Sequence, residues 1–151
     1  MLIGTDIGKQ ATSQNLDNSV IIYNLSKIKE LKQNLEENIE FILSELPCDI
    51  NWNSFAKTKV YFRNWFDIKL ESAKINHLQA ILKTLPDGVA QETLYGYTTY
   101  LRHKSTIKNY LDHIIKHNGI VSLTYSNGTL VMPNHRPISR NPEVIACEEN
   151  I

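Results

Sequence analysis

Cysteine is scarce in this chain: Cys48 and Cys147 lie far apart, and neither has a second Cys beside it. That spacing excludes a zinc ribbon and a disulfide scaffold, and it makes a reducing, intracellular setting, cytoplasmic or nucleoid-associated, the expectation. Long apolar runs are missing too. No stretch approaches the roughly 18 apolar residues that span a bilayer, and the first residues lack the basic-then-apolar order of a secretory signal. No membrane partner is expected. The usual catalytic motifs are also absent: there is no Gly-rich loop followed by Lys-Ser/Thr, no Gly-x-Ser-x-Gly elbow, no Cys-x-x-Cys and no His-Glu-x-x-His. The expectation is a protein that is not an enzyme and uses no cofactor. His113 and His117 have the four-residue spacing of a chelating pair, but only Asp112 accompanies them and it points to a neighbouring face, so no metal is expected. The histidines read more simply as flanking a solvated or phosphate-facing surface.

An excess of charge of one sign is absent overall, with 16 basic and 16 acidic residues, which argues against a protein that coats nucleic acid indiscriminately. The distribution says more. Residues 1–88 hold ten Lys/Arg and eleven Asp/Glu, residues 89–140 hold six and two, and residues 141–151 hold none and three. Four of the five histidines, His103, His113, His117 and His135, share the basic segment. A local basic excess is what a nucleic-acid face needs, because neutralising phosphates releases counterions. The bland alternative is a basic solvated surface. At 151 residues, 42% hydrophobic and 21% charged, the chain has ordinary globular composition and fits one domain, or one small domain with a helical extension.

Residues 104–132 organise the rest. Ile107, Tyr110, Leu111, Ile114 and Ile115 fall on one arc at helical spacing, and Ser105, Asn109, Asp112 and Lys116 gather opposite. Ser105 reads as the N-cap and Gly119 as the left-handed stop. Beyond Gly119 the period drops to two: Val121, Leu123 and Tyr125 alternate with Ser122 and Thr124, then Leu130 and Met132 with Thr129 and Val131. Asn127-Gly128 between them predicts a type I′ hairpin.

Upstream, Leu25, Ile28, Leu31, Leu35, Ile39, Ile42 and Leu46 predict a long amphipathic helix starting at Asn24 or Ser26 and ended by Pro47. Its stripe either closes a core or pairs with a twin. Val20–Tyr23 either extends this helix or forms a short strand. Residues 49–70 carry Trp52, Phe55, Tyr61, Phe62, Trp65 and Phe66, with Asn51 or Asn53 as the cap of a helix. Interleaved Lys57, Lys59 and Arg63 raise single-strand base stacking, against which the commoner role of such aromatics is to fill a core. The alternation Asp67-Ile68-Lys69-Leu70 marks a local strand or a break. Residues 73–85 predict a helix stopped by Pro86-Asp87-Gly88, residues 89–101 a second one, and Arg102-His103-Lys104 the turn before the helix capped by Ser105. Pro133, Pro137 and Pro142 preclude an ordinary helix through most of the tail, which reads as solvated, with His135, Arg136 and Arg140 following a DNA backbone as the alternative.

Residues 73–135 resemble the winged helix-turn-helix superfamily. The match lies in Ser105-Thr106-Ile107 at a helix start, Leu111 and Ile115 within it, Gly119-Ile120-Val121 at the corner and Asn127-Gly128 at the wing tip. One interval departs: Ile107 to Gly119 is one residue longer than in common bacterial regulators of this type. The resemblance implies a mainly α fold with a small β-hairpin, a winged helix-turn-helix preceded by a helical N-terminal region. Together with the little periodicity and many polar residues of 1–19, which read as a flexible arm, it divides the chain into that arm, a helical and dimerising region at 20–72, the winged helix at 73–135 and a tail at 136–151. It further implies sequence-specific binding of double-stranded DNA by a homodimeric transcriptional regulator. Such a helix enters the major groove, where Asn pairs bidentately with adenine. Asn109 is then the leading base reader, with Ser105, Thr106, Asp112 and His113 near it. Arg102, Lys104, Lys108 and Lys116 hold phosphates, and Asn127 touches the backbone from a wing tip that lacks Lys or Arg. The competing implications are a winged-helix scaffold for protein assembly and a DNA-processing accessory protein, since the STIKNYL stretch is similar to tyrosine-recombinase core-binding domains and NGIVSLTYSNG to phage terminase small subunits.

Overall fold

Asn24 opens the first long helix, its side-chain oxygen accepting the Lys27 amide at 3.1 Å. Helix α1 then runs Leu25–Glu45, as its apolar spacing predicts, and stops before Pro47. In the computed structural model the protein is described at residues 5–7, 9–10 and 19–149. The expected flexible arm lies outside these residues, apart from strands β1 (Thr5–Ile7) and β2 (Lys9–Gln10), which pair antiparallel. The chain is mainly helical with small antiparallel strand pairs. It forms two compact units. One holds the chain up to Asn34 together with Thr106 onward, and the other holds Leu35–Ser105. No helix among the described residues is long and apolar enough to cross a membrane.

The second unit is built on aromatic packing. Its core joins Leu46, Trp52, Phe62, Ile68, Leu70, Leu78, Leu94, Tyr97 and Tyr100. Helix α2 (Phe55–Phe66) is capped by Ser54, whose hydroxyl accepts the Lys57 amide at 3.3 Å, and neither Asn51 nor Asn53 takes that role. Asn51 instead closes a local turn onto the Asn53 amide, and Asn53 is committed to Tyr100 and Lys104. The helix ends on Asp67 in the left-handed region, with the Ile68 amide reaching back to the Phe62 carbonyl. The 67–70 alternation is a break that buries Ile68 and Leu70 and exposes Asp67 and Lys69. Helix α3 spans Ile75–Leu82.

Helix α4 (Val89–Thr106) passes without interruption through the expected turn at 102–104. Residues 102–106 contain neither Gly nor Pro, so nothing in the backbone breaks the helix there. Ser105 is therefore an interior residue and no N-cap. Two of the threonines bond back along the helix, Thr93 donating to the Val89 carbonyl and Thr98 to the Leu94 carbonyl, both at 2.7 Å, whereas the Thr99 hydroxyl is buried without a partner among the described residues.

Ile107–Leu111 forms a π-turn, the Asp112 amide reaching the Ile107 carbonyl, before α5 (Asp112–Lys116). A π-turn holds one more residue per turn than an α-helix, so Ile107–Leu111 takes up a residue without breaking the helical run. Leu111 and Ile114 are fully buried. At the end, Asn118 takes the first left-handed position (φ 55°). Its amide bonds the Ile115 carbonyl and the Gly119 amide bonds that of Ile114, the paired bonds of a Schellman motif. The left-handed stop therefore falls at Asn118, one residue before the expected Gly119, which follows at φ 85°.

Val20–Ile22 is a strand, β3, pairing antiparallel with β4 (Ile120–Ser122) in the register Ile21↔Val121. Its other edge takes the tail: the Asn24 amide donates to the Cys147 carbonyl and the Glu149 amide to the Ile22 carbonyl, both at 2.7 Å. The expected single strand through Tyr125 is split at the buried Leu123. Beyond that break, β5 (Thr124–Ser126) pairs with β6 (Thr129–Val131), and Tyr125 is exposed. Asn127 (φ 51°) and Gly128 (φ 80°) make the turn between them, as the type I′ geometry requires. The tail is packed rather than solvated: Ser139, Val144 and Cys147 are buried, and Pro142 begins a one-turn helix, α6 (Pro142–Ile145), capped by Asn141. Proline is tolerated there because a first-turn amide has no helical partner to lose.

A Cβ on Gly119 would lie 2.8 Å from the Tyr23 carbonyl oxygen, whereas one on Gly128 would meet open space. Both have positive φ, so Gly128→Ala is expected to cost about 1 kcal/mol from backbone conformation alone. Gly119→Ala should cost about 2 kcal/mol or more, the steric conflict being added. Urea denaturation of the two variants checks the difference, and equal losses would contradict the close approach.

Candidate nucleic-acid interface

The polar face of the helical run after Ile107 is set by the helical repeat. Lys108, Asp112 and Lys116 stack at intervals of four, with Asn109 and His113 beside them. The chain beyond the hairpin supplies the opposite wall. From Met132 it turns tightly, the Met132 amide bonding the Arg136 carbonyl at 2.8 Å and the His135 amide the Met132 carbonyl at 2.8 Å. His135 takes a left-handed conformation (φ 65°) within this turn. Asn134 ties the turn to the helix: its amide nitrogen donates to the Asn109 carbonyl at 2.9 Å, while its oxygen accepts the Arg136 amide at 3.1 Å. The Asn109 carbonyl belongs to the π-turn, and an outside donor helps satisfy backbone in a segment where the α-helical ladder is disturbed.

Between these walls lies an open cleft of about 400 Å³ lined by Lys108, Asn109, Asp112, His113, Lys116, Asn134 and Arg136. Lys108, Lys116 and Arg136 are exposed and have no carboxylate partner among the described residues. The one acid of the cleft, Asp112, is held by Lys32 of α1 at 2.7 Å. Three basic side chains therefore face the opening against a carboxylate whose charge is already countered. His113 adds no cation near neutrality. Burial pushes its pKa below the ordinary imidazole value, and the neighbouring His117 and Lys116 push it the same way. Its Nε2 is buried without a hydrogen-bond partner, and its ring centre lies 4.4 Å from that of His117. Among the described residues, no three His, Cys, Asp or Glu side chains converge to hold a metal.

The residues expected from the sequence are thus divided. Lys108, Asn109, Asp112, His113 and Lys116 come together. Thr106 is buried and offers a base no surface. Arg102, Lys104 and Ser105 belong to the second unit. There Lys104 is committed, donating to Asn53 at 2.8 Å and lying 5.0 Å from the centre of the Tyr100 ring. Asn127 is exposed at the hairpin tip. Sequence reasoning missed Lys32 and Asn134, and it placed Arg136 in the tail. The only local signal was Pro133-Asn134, a turn dipeptide directly after the second hairpin strand. Comparison with protein-family models, curated proteins and solved structures finds no match for this chain.

Because the fold holds His113 below its unfolded value of 6.5, the stability gained by keeping it neutral is complete above that pH. It is lost as the pH falls through the lower folded value. Thermal melts from pH 7.5 to 5 should show this acid-side loss, and His113→Phe, which keeps a ring but cannot titrate, should reduce it. An unchanged acid slope in the variant would mean that His113 is not held neutral.

Proposed function

We propose that this chain binds double-stranded DNA through the cleft around Asn109 and acts as a small transcriptional regulator. The observation that carries the reading is the convergence of Lys108, Lys116 and Arg136, without acidic partners among the described residues, on an open surface beside a helix face. These cations hold phosphates, which fixes position and affinity, and Asn109 meets base edges. Lys32 supports them by countering Asp112, which would otherwise repel the backbone. The helix, its glycine corner and the type I′ hairpin are the parts of a winged helix that this reading uses, with the π-turn adjusting the register of the helix.

A homodimer through the N-terminal helices belongs to the same reading. Ile28, Leu31 and Leu35 are buried within the protomer, so such a contact falls to Phe41 of α1, exposed together with Val89 and Tyr95 of α4. A scaffold for protein assembly is the alternative when no DNA is bound.

Titration of labelled duplex at low and moderate salt tests the reading. Affinity should fall steeply with salt, and Lys108→Ala and Arg136→Ala should each weaken binding to all duplexes and lower the logarithmic salt slope by about one. Asn109→Ala should narrow the gap between a duplex selected from a random pool and an arbitrary one. No binding at low salt, or identical losses on selected and arbitrary duplex for all three variants, would overturn it.

A further inference from the structure

The α2 sequence, FAKTKVYFRNWF, carries three cations, Lys57, Lys59 and Arg63, and no acidic residue, with Arg63 ion-paired at 3.8 Å to Asp67 just past the helix. Its aromatics separate into two groups. Phe62 is fully buried and Trp52, which packs against it, is 6% exposed, so both fill the core. Trp65 is 72% exposed, although an indole loses much apolar contact by standing in water.

Trp65 is not loose on the surface. Its ring centre lies 6.2 Å from that of Tyr61 at an interplanar angle of 34°. Tyr61 is in turn braced edge-on by Trp52 at 5.5 Å, Phe62 at 5.7 Å and Phe66 at 5.9 Å. The core thus fixes one flank of an aromatic pair, whose other member borders an opening of about 540 Å³. Lys57, Val60, Asn64 and Asp49 share the lining of that opening. The volume falls in the range of small-ligand sites.

We infer that this opening is a stacking site for an unpaired base of single-stranded nucleic acid, with Trp65 as the platform. A flat apolar ligand fits the exposed indole, and Lys57 beside it selects an anionic chain to carry it. Every base presents a π-face, so stacking tolerates sequence while Lys57, in the lining of the opening, meets a phosphate. Asn64 offers one donor and one acceptor to a base edge. Asp49, the one carboxylate of the opening, favours a base bearing an exocyclic amino group and directs the phosphate toward Lys57. A base within a duplex is covered by its neighbours and cannot enter, so this site is separate from the duplex cleft and stands independently of that reading.

The full chain contains two tryptophans, one buried and one exposed, so intrinsic fluorescence reports the site directly. Titration with short oligo(dC) at low salt should quench the emission and shield Trp65 from acrylamide, with weaker effects from oligo(dT). Trp65→Ala should remove the quenching and weaken binding roughly ten- to hundredfold, the range for loss of one base–aromatic stack. Trp65→Phe should retain most of the affinity, and Lys57→Ala should flatten its salt dependence. An unquenched wild-type chain, or Trp65→Ala binding as wild type does, would overturn the inference. So would shielding of Trp65 that follows protein concentration instead of oligonucleotide, which would make the patch a contact between copies of the chain.

Discussion

The first unit depends on one backbone approach. The Tyr23 amide donates to the Gly119 carbonyl at 2.7 Å, and the Tyr23 oxygen comes so near the Gly119 Cα that no side chain fits between them. This contact joins Tyr23, at the end of β3, to the end of the long helical run and fixes the β3–β4 register. Leu123 is then held by the Ser19 carbonyl at 2.9 Å, and from there the hairpin and the turn that carries Arg136 follow. Tyr23 itself is buried, and burial followed by the nearby Glu148 carboxylate drives its phenol far above the ordinary value. It remains a neutral, packed ring at any physiological pH. Residues 147–149 complete the strand on its other edge, so they and residues 22–24 are structural partners.

The π-turn links this framework to the candidate interface. It takes up one residue inside a continuous helix, and the residues around it, Lys108, Asn109 and Asp112, form one wall of the cleft. Asn134 converts the turn after the hairpin into the second wall by bonding the Asn109 carbonyl. The electrostatics follow from the same arrangement. Lys32 counters Asp112 and burial keeps His113 neutral, so the charge presented outward comes from Lys108, Lys116 and Arg136. Exposed charges of this kind contribute little to stability, which leaves them available to a ligand.

What the sequence revealed was the local physics. The α1 stripe, a helix within residues 73–85 and the Asn127-Gly128 turn were legible because period and positive-φ tolerance are written within a few residues, whereas the start of α1 stayed open between Asn24 and Ser26. The turn at 102–104 was misread because a cluster of polar, charged residues resembles a loop, while only Gly or Pro would have broken a helix there. The tail was misread for a related reason: its prolines exclude a long helix, yet they say nothing against burial of Val144 and Cys147 beside a strand at the far end of the chain. Part of the candidate site was visible as the arc 108–116. Lys32 and Asn134 were hidden, because their roles depend on contacts across many residues that no local pattern encodes.

The central claim is that the arc around Asn109, together with Arg136, is the surface that meets DNA. Amide chemical-shift mapping of the full chain during titration with a short duplex at low salt tests it most directly. The account predicts that the largest shifts fall at Lys108, Asn109, Asp112, His113, Lys116, Asn134 and Arg136 and fade together as salt is raised. Shifts centred elsewhere in the chain, or none at saturating duplex, would contradict it.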